Sequence, residues 1–170
     1  MQERLGVYAG TFDPLTIGHL WMIQQGSKIF DRLIIAIGVN PQKHCMFSLA
    51  DRLAMIGESI EPFPNVEVDS YHNQFLATYA GLIGAKFILR GIRSASDYEY
   101  ESIMRNINSD LNPHLTTIFL KPPREIIEVS SSLVKGLIGP EGWEEVVRKY
   151  LPEPVFLKLK EAHDAKRQNH

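Results

Sequence analysis

Arg32-Leu33-Ile34-Ile35-Ala36-Ile37-Gly38-Val39 carries apolar side chains without a break from Leu33 to Ile37. A strand with one wet face alternates apolar and polar residues. An unbroken run suits a strand buried on both faces, as in a parallel sheet covered by helices. Working outward, four more short stretches rich in Val, Ile or Leu and bounded by turn residues read as strands: Arg4–Tyr8, Asn65–Val68, Lys86–Arg90 and Thr116–Leu120. Amphipathic segments read as helices over His19–Phe30, Ser48–Ile60, Gln74–Ile83 and Asp97–Leu111. Ser48-Leu49-Ala50-Asp51 opens the second of these with a capping pattern, and Asn112-Pro113 stops the fourth. Ser131–Ile138, Gly142–Tyr150 and Pro154–Ala165 read as three further helices, and Lys166–His170 as a frayed polar tail. Strand and helix alternating in this way predict a single α/β domain over residues 1–165, with residues 166–170 outside it. Its expected core is a Rossmann-like, doubly wound, five-stranded parallel sheet with C-terminal helices.

The composition narrows what such a domain does. Its 170 residues hold 18 Lys+Arg against 20 Asp+Glu, for a net charge of −2. A general nucleic-acid binder would carry a basic excess, so nucleic acid is not an expected partner. The single Cys45 excludes an intramolecular disulfide framework and a multi-Cys zinc site, and suits a reducing compartment. No apolar run approaches the ~20 residues needed to span a bilayer, and Met1-Gln2-Glu3-Arg4 does not begin a secretory signal. A soluble, cytoplasmic protein without a membrane partner is expected.

In open parallel sheets, ligands bind beyond the carboxyl ends of the strands. The first strand-to-helix junction reads Tyr8-Ala9-Gly10-Thr11-Phe12-Asp13-Pro14-Leu15-Thr16-Ile17-Gly18-His19. Gly10 lets the backbone pass close to a ligand, Asp13-Pro14 forces a turn, and Gly18-His19 opens a helix whose N–H groups and dipole favour an anion. A histidine there donates to a phosphate, or merely caps the helix; the residue alone leaves both open. Lys43 lies in a Pro-containing loop past the second strand, either reaching for an anion or simply solvated. Arg90 ends the fourth strand, Gly91 permits close approach, and Arg93 adds a second cation, with an ion pair to Asp97 or Glu101 as the alternative. Ser130-Ser131-Ser132 precedes a helix, and capping accounts for only one of the three. Phe75 reads as a core residue and Glu101 as a helix-surface carboxylate. Neither GxxxxGK[ST] nor GxGxxG occurs, and no Ser/His/Asp or Cys/His spacing offers a covalent nucleophile.

Gly10-Thr11-Phe12-Asp13-Pro14 followed by Thr16-Ile17-Gly18-His19 resembles the nucleotidyltransferases that carry a T/HxGH signature. Asn40-Pro41-Gln42-Lys43, Arg90-Gly91-Ile92-Arg93, Asp97-Tyr98-Glu99-Tyr100-Glu101 and Val129-Ser130-Ser131-Ser132, in that order, are similar to the bacterial phosphopantetheine adenylyltransferases from Arg4 to about Leu159. The chain departs from that pattern at Ala9, Ile17, His44-Cys45 and Ile126. The resemblance implies transfer of the adenylyl group of ATP to 4′-phosphopantetheine, giving dephospho-coenzyme A and pyrophosphate in coenzyme A synthesis. It implies direct in-line attack with no covalent intermediate.

On the same resemblance, His19, Lys43 and Arg90 are the catalytic residues. His19 and Lys43 take the α-phosphate, while Thr11 and Arg90 orient the attacking phosphate. Thr11, Lys43, Phe75 and Arg90 bind the acceptor. The ATP site would comprise Gly10, Thr11, Phe12, Gly18, His19, Gly91, Ile92, Arg93, Glu101, Ile126, Ile127, Glu128, Val129, Ser130, Ser131 and Ser132. Arg93 and Ser130–Ser132 would hold the β- and γ-phosphates. Mg²⁺ is expected through the ATP phosphates, with no metal-ligand set of the protein's own. A homohexamer is also implied. Two alternatives stand beside this reading. One is another T/HxGH nucleotidyltransferase, such as one acting on nicotinate mononucleotide; the other is a non-catalytic nucleotide-sensing module.

Overall fold

The apolar run at Leu33–Ile37 lies inside the sheet and is buried on both faces. Leu33, Ile35 and Ile37 pack into one apolar cluster, while Ile34 and Ala36 pack into another on the opposite side. The computed structural model describes residues 3–168, with side chains through residue 165. Five strands, β1 (Leu5–Gly10), β2 (Arg32–Val39), β3 (Val66–His72), β4 (Phe87–Gly91) and β5 (Thr116–Leu120), are all parallel and lie in the order β3-β2-β1-β4-β5. They alternate with α1 (Ile17–Ile29), α2 (Leu49–Ile60), α3 (Leu76–Leu82) and α4 (Ala95–Leu111); α5 (Ser131–Leu137), α6 (Trp143–Val147) and α7 (Glu153–Gln168) follow. This is the expected doubly wound α/β architecture. After β3 the chain crosses to the far side of β1, so the order reverses between β1 and β4. The backbones diverge there and leave a crevice.

Several boundaries differ from the sequence reading, among them β1, which runs to Gly10, α1, which begins at Ile17, and α6, which ends at Val147 before a 3₁₀ turn over Arg148–Tyr150. β3 runs to His72 rather than Val68, because Asp69, Ser70 and Tyr71 pair with Ala36, Ile37 and Gly38. It is an edge strand, half solvated, so its polar residues hid it. α4 begins two residues early because Ser94 caps it, its Oγ accepting the Asp97 N–H at 3.1 Å. α7 continues past Ala165 to Gln168; of the tail expected at Lys166–His170, residues 169 and 170 lie outside the described residues.

α1 sits close on the sheet. A Cβ at Gly26 would come within 2.8 Å of Leu33 Cδ2 and 2.9 Å of Leu89 Cδ2, so glycine sets that approach. Among the described residues no helix is long and apolar enough to cross a membrane.

Candidate active site

The β1–α1 junction is folded by its own polar groups. Thr16 is fully buried and caps α1, its Oγ1 accepting the His19 N–H at 3.4 Å. In return the Thr16 N–H donates to His19 Nδ1 at 3.0 Å, with Thr16 Oγ1 also 3.0 Å from that nitrogen. Because a backbone N–H can only donate, Nδ1 carries its lone pair there and the ring proton resides on Nε2. Burial, reinforced by Arg93, pushes the imidazole pKa down from 6.5 to about 4. His19 is therefore neutral near pH 7 and keeps one N–H for the cleft that its ring lines. The capping contact uses Nδ1 alone, so it does not exclude donation to a ligand from Nε2. Phe12, held at φ 48°, meets the His19 ring edge-on at 5.2 Å between centroids.

At the end of β4, Arg90 forms a two-pronged ion pair with Glu101 of α4. Its Nε donates at 2.7 Å and its Nη2 donates to the other carboxylate oxygen, while Nη1 donates to the Ala9 carbonyl at 3.0 Å. Burial pulls the guanidinium pKa down, but the Glu101 hydrogen bonds and charge more than offset that and leave it raised. A guanidinium has five N–H donors, so part of the fork is left for a ligand. Glu101 corrects the sequence reading: it is buried, not a surface carboxylate. Arg93 pairs instead with Asp97, one turn along α4, at 2.8 Å, and holds that carboxyl below its usual range.

Two hollows flank Arg90 and Glu101, and both residues line each of them. A cleft of about 340 Å³ lies towards α1 and the Ile126–Ser130 segment. One of about 390 Å³ lies towards β3, α3 and α4. The first collects Gly10, Phe12, Gly18, His19, Gly91, Arg93, Glu101, Ile126, Ile127, Val129 and Ser130 from the expected ATP set. The second holds Thr11 and Phe75. Phe75 is 64% exposed, which corrects the core role the sequence suggested: it precedes α3 and forms a wall of the second cleft.

Ile92, Glu128, Ser131 and Ser132 line neither cleft. Ile92 ties β4 to β5 through its N–H, 2.9 Å from the Leu120 carbonyl. Ser130 caps α5, and Ser131 donates to the Pro14 carbonyl at 2.8 Å. Lys43 stands apart on an exposed loop, lining a hollow of about 280 Å³ with Thr11 and Arg52.

Other contributors escaped the sequence reading. Tyr71, Met104 and Asn108 line the second cleft, Tyr100 lines both, and the buried Arg52 donates to the Thr11 carbonyl at 2.9 Å. Tyr71 and Asn108 sit on an edge strand and a partly solvated helix, where single-sequence patterning carries little signal. Gly18 fixes how near the 126–129 turn can come: a Cβ there would be 3.1 Å from the Val129 carbonyl oxygen. The arrangement can hold one ligand beside His19 and Arg93, a second beside Thr11 and Phe75, and join them at Arg90.

Comparison with known proteins identifies the family. The cytidylyltransferase-like family matches residues 7–137. A phosphopantetheine adenylyltransferase from Chromobacterium violaceum is 61% identical over 153 residues, covering 90% of this chain and 93% of that protein. One from Neisseria meningitidis serogroup C is 56% identical over 160 residues, covering 94% of each. Among solved structures, the Plasmodium falciparum nicotinic acid mononucleotide adenylyltransferase complexed with NaAD superposes with a TM-score of 0.67 at 15% identity. That alignment covers 91% of this chain and 93% of that one, and speaks for the fold alone. By sequence, the chain belongs to the phosphopantetheine adenylyltransferases, within the cytidylyltransferase-like family.

Proposed function

We propose that the protein joins ATP and 4′-phosphopantetheine to form dephospho-coenzyme A and pyrophosphate, with MgATP in the cleft beside His19 and the acceptor in the cleft beside Phe75. The observation that carries this reading is the shared wall: Arg90, on the β4 end, faces both clefts at the point where the strand order reverses. A phosphate on Arg90 from the second cleft is aimed into the first. The second cleft, bounded by Tyr71, Phe75, Leu76, Met104 and Ile107, suits a long, mildly polar arm.

The attacking oxygen is a phosphate oxygen, already anionic, so the reaction needs alignment and charge neutralisation rather than a base. Arg90, oriented by Glu101, and Thr11 hold the acceptor phosphate. The neutral His19 donates its Nε2–H to the α-phosphate as charge grows on the oxygens in flight. Lys43 reaches the same group from its loop. Arg93 neutralises the pyrophosphate end as it leaves, and the Ser130 hydroxyl donates to it. Ile126, Ile127 and Val129 form the apolar wall for adenine. Mg²⁺ would be held through the nucleotide phosphates, where it would supply further charge neutralisation. Among the described residues no three His, Cys, Asp or Glu side chains gather to hold a metal, and Asp97 and Glu101 are both engaged with arginines.

The same reading places the protein in the cytoplasm as a homohexamer of 19.3-kDa chains. Exposed apolar side chains on α4, among them Ile103 and Leu111, support self-association; light scattering would then give six times the chain mass. The function itself is tested by pyrophosphate release from ATP with 4′-phosphopantetheine and, separately, nicotinate mononucleotide. Release with the first alone is expected. Release with the second alone would move the chain to the alternative chemistry, and ATP binding without release to a sensing role.

A further inference from the structure

We propose that Asp13 is a positioning residue for Lys43: its buried carboxylate clamps the loop that carries the lysine to the β1–α1 junction. The proposal rests on the reading of Lys43 as a phosphate ligand. Asp13 is 4% exposed. Its Oδ1 accepts the Phe47 N–H at 2.9 Å, its Oδ2 accepts the Met46 N–H at 2.8 Å, and Lys135 Nζ of α5 lies 3.2 Å from the same Oδ2. One side chain thus joins three segments of the site: the junction with Thr11 and His19, the loop with Lys43, and the helix that Ser130 caps.

The loop needs such a tie. It leaves β2 at Val39 and turns at Asn40, whose carbonyl accepts the Lys43 N–H at 3.1 Å and whose Oδ1 accepts the Gln42 N–H at 2.9 Å. Lys43 ends that turn exposed, with no side-chain partner among the described residues. Among the described residues, His44 and Cys45 add no hydrogen bond of their own. The next fixed points are the two amides held by Asp13, so the carboxylate sets where the lysine stem starts. Opposite, Arg52 fixes the other wall of the hollow through the Thr11 carbonyl. An asparagine turned to keep its oxygen on the Met46 N–H and the Lys135 ammonium would set its amide nitrogen against the Phe47 N–H, two donors face to face, and the loop would be held at one point instead of two.

The test is a double-mutant cycle on kcat with ATP and phosphopantetheine, using Asp13→Asn and Lys43→Ala. If Asp13 acts through Lys43, Asp13→Asn lowers kcat about tenfold in the wild-type background and less than about twofold in the Lys43→Ala background. Equal losses in both backgrounds, or no loss in either, overturn the proposal. Lys43→Ala turning over at the wild-type rate overturns the reading beneath it instead. Should Asp13→Asn not fold, amide exchange on the wild-type protein decides. The Met46 and Phe47 amides are expected to exchange at least about tenfold more slowly than those of His44 and Cys45, and equal rates would refute the clamp.

Discussion

At the scale of single residues, the site turns on which nitrogen of His19 bears the proton. Thr16 settles it by donating to Nδ1. A glutamine at position 19 presents its amide near the place of Nε2, an asparagine near the place of Nδ1. His19→Gln should therefore retain more activity than His19→Asn, and His19→Ala should lower kcat about 10²- to 10³-fold with little change in KM for ATP. Steady-state kinetics of the three variants check the ordering. Because the native ring binds its proton more weakly than the unfolded chain does, acidification from 6.5 towards about 4 favours unfolding, and its contribution to stability is whole above that window. A ¹⁵N titration of the histidines should place the His19 midpoint near about 4 in the free protein. The sequence named His19 as a candidate, since a histidine after glycine at a helix start is visible in one window. It could not show Asp13 as a hub, because the amides it holds lie 33 and 34 residues away.

At the scale of elements, contacts between them set the two clefts. Gly18→Ala pushes a methyl group against the Val129 carbonyl and Thr16 Oγ1, 3.1 and 3.5 Å from its Cβ. The 126–129 turn would have to retreat, so KM for ATP should rise several-fold while KM for the acceptor holds. Glu101→Gln keeps the shape of the Arg90 partner but turns one prong of the fork into a facing pair of donors. We expect KM for phosphopantetheine to rise about tenfold, since Arg90 loses the orientation that aims it. Strands buried on both faces, β1, β2 and β4, were legible because continuous apolar runs mark them. The solvated end of β3 was not, nor was the exposed Phe75, whose aromatic ring carries the same symbol in a core and in a cleft wall. The sequence offers an ion pair to Asp97 or Glu101 but not which arginine takes which carboxylate, because that depends on how α4 lies across the β4 end.

At the scale of the molecule, a chain of net charge −2 binds two polyanions by concentrating cations where the sheet opens. Arg90 and Arg93 stand at the β4 end, with Lys43 on the loop after β2, and each arginine is already countered by a carboxylate of α4. A field built from so few charges is screened readily. Raising salt from about 0.05 to about 0.5 M should increase KM for both substrates several-fold and change kcat less, as initial-rate measurements would show. Chain topology followed from strand–helix alternation, and the reversal between β1 and β4 supplies the crevice that those alternations alone only promise. On the proposed function, the two clefts present the acceptor phosphate directly to the α-phosphorus, with no enzyme-bound intermediate. The most direct test is stereochemical: turnover of one diastereomer of ATP sulfur-labelled at the α-phosphorus with 4′-phosphopantetheine, with the configuration of the product then determined. A single in-line displacement predicts dephospho-coenzyme A with inverted phosphorus; retention, the mark of two successive displacements, would contradict it.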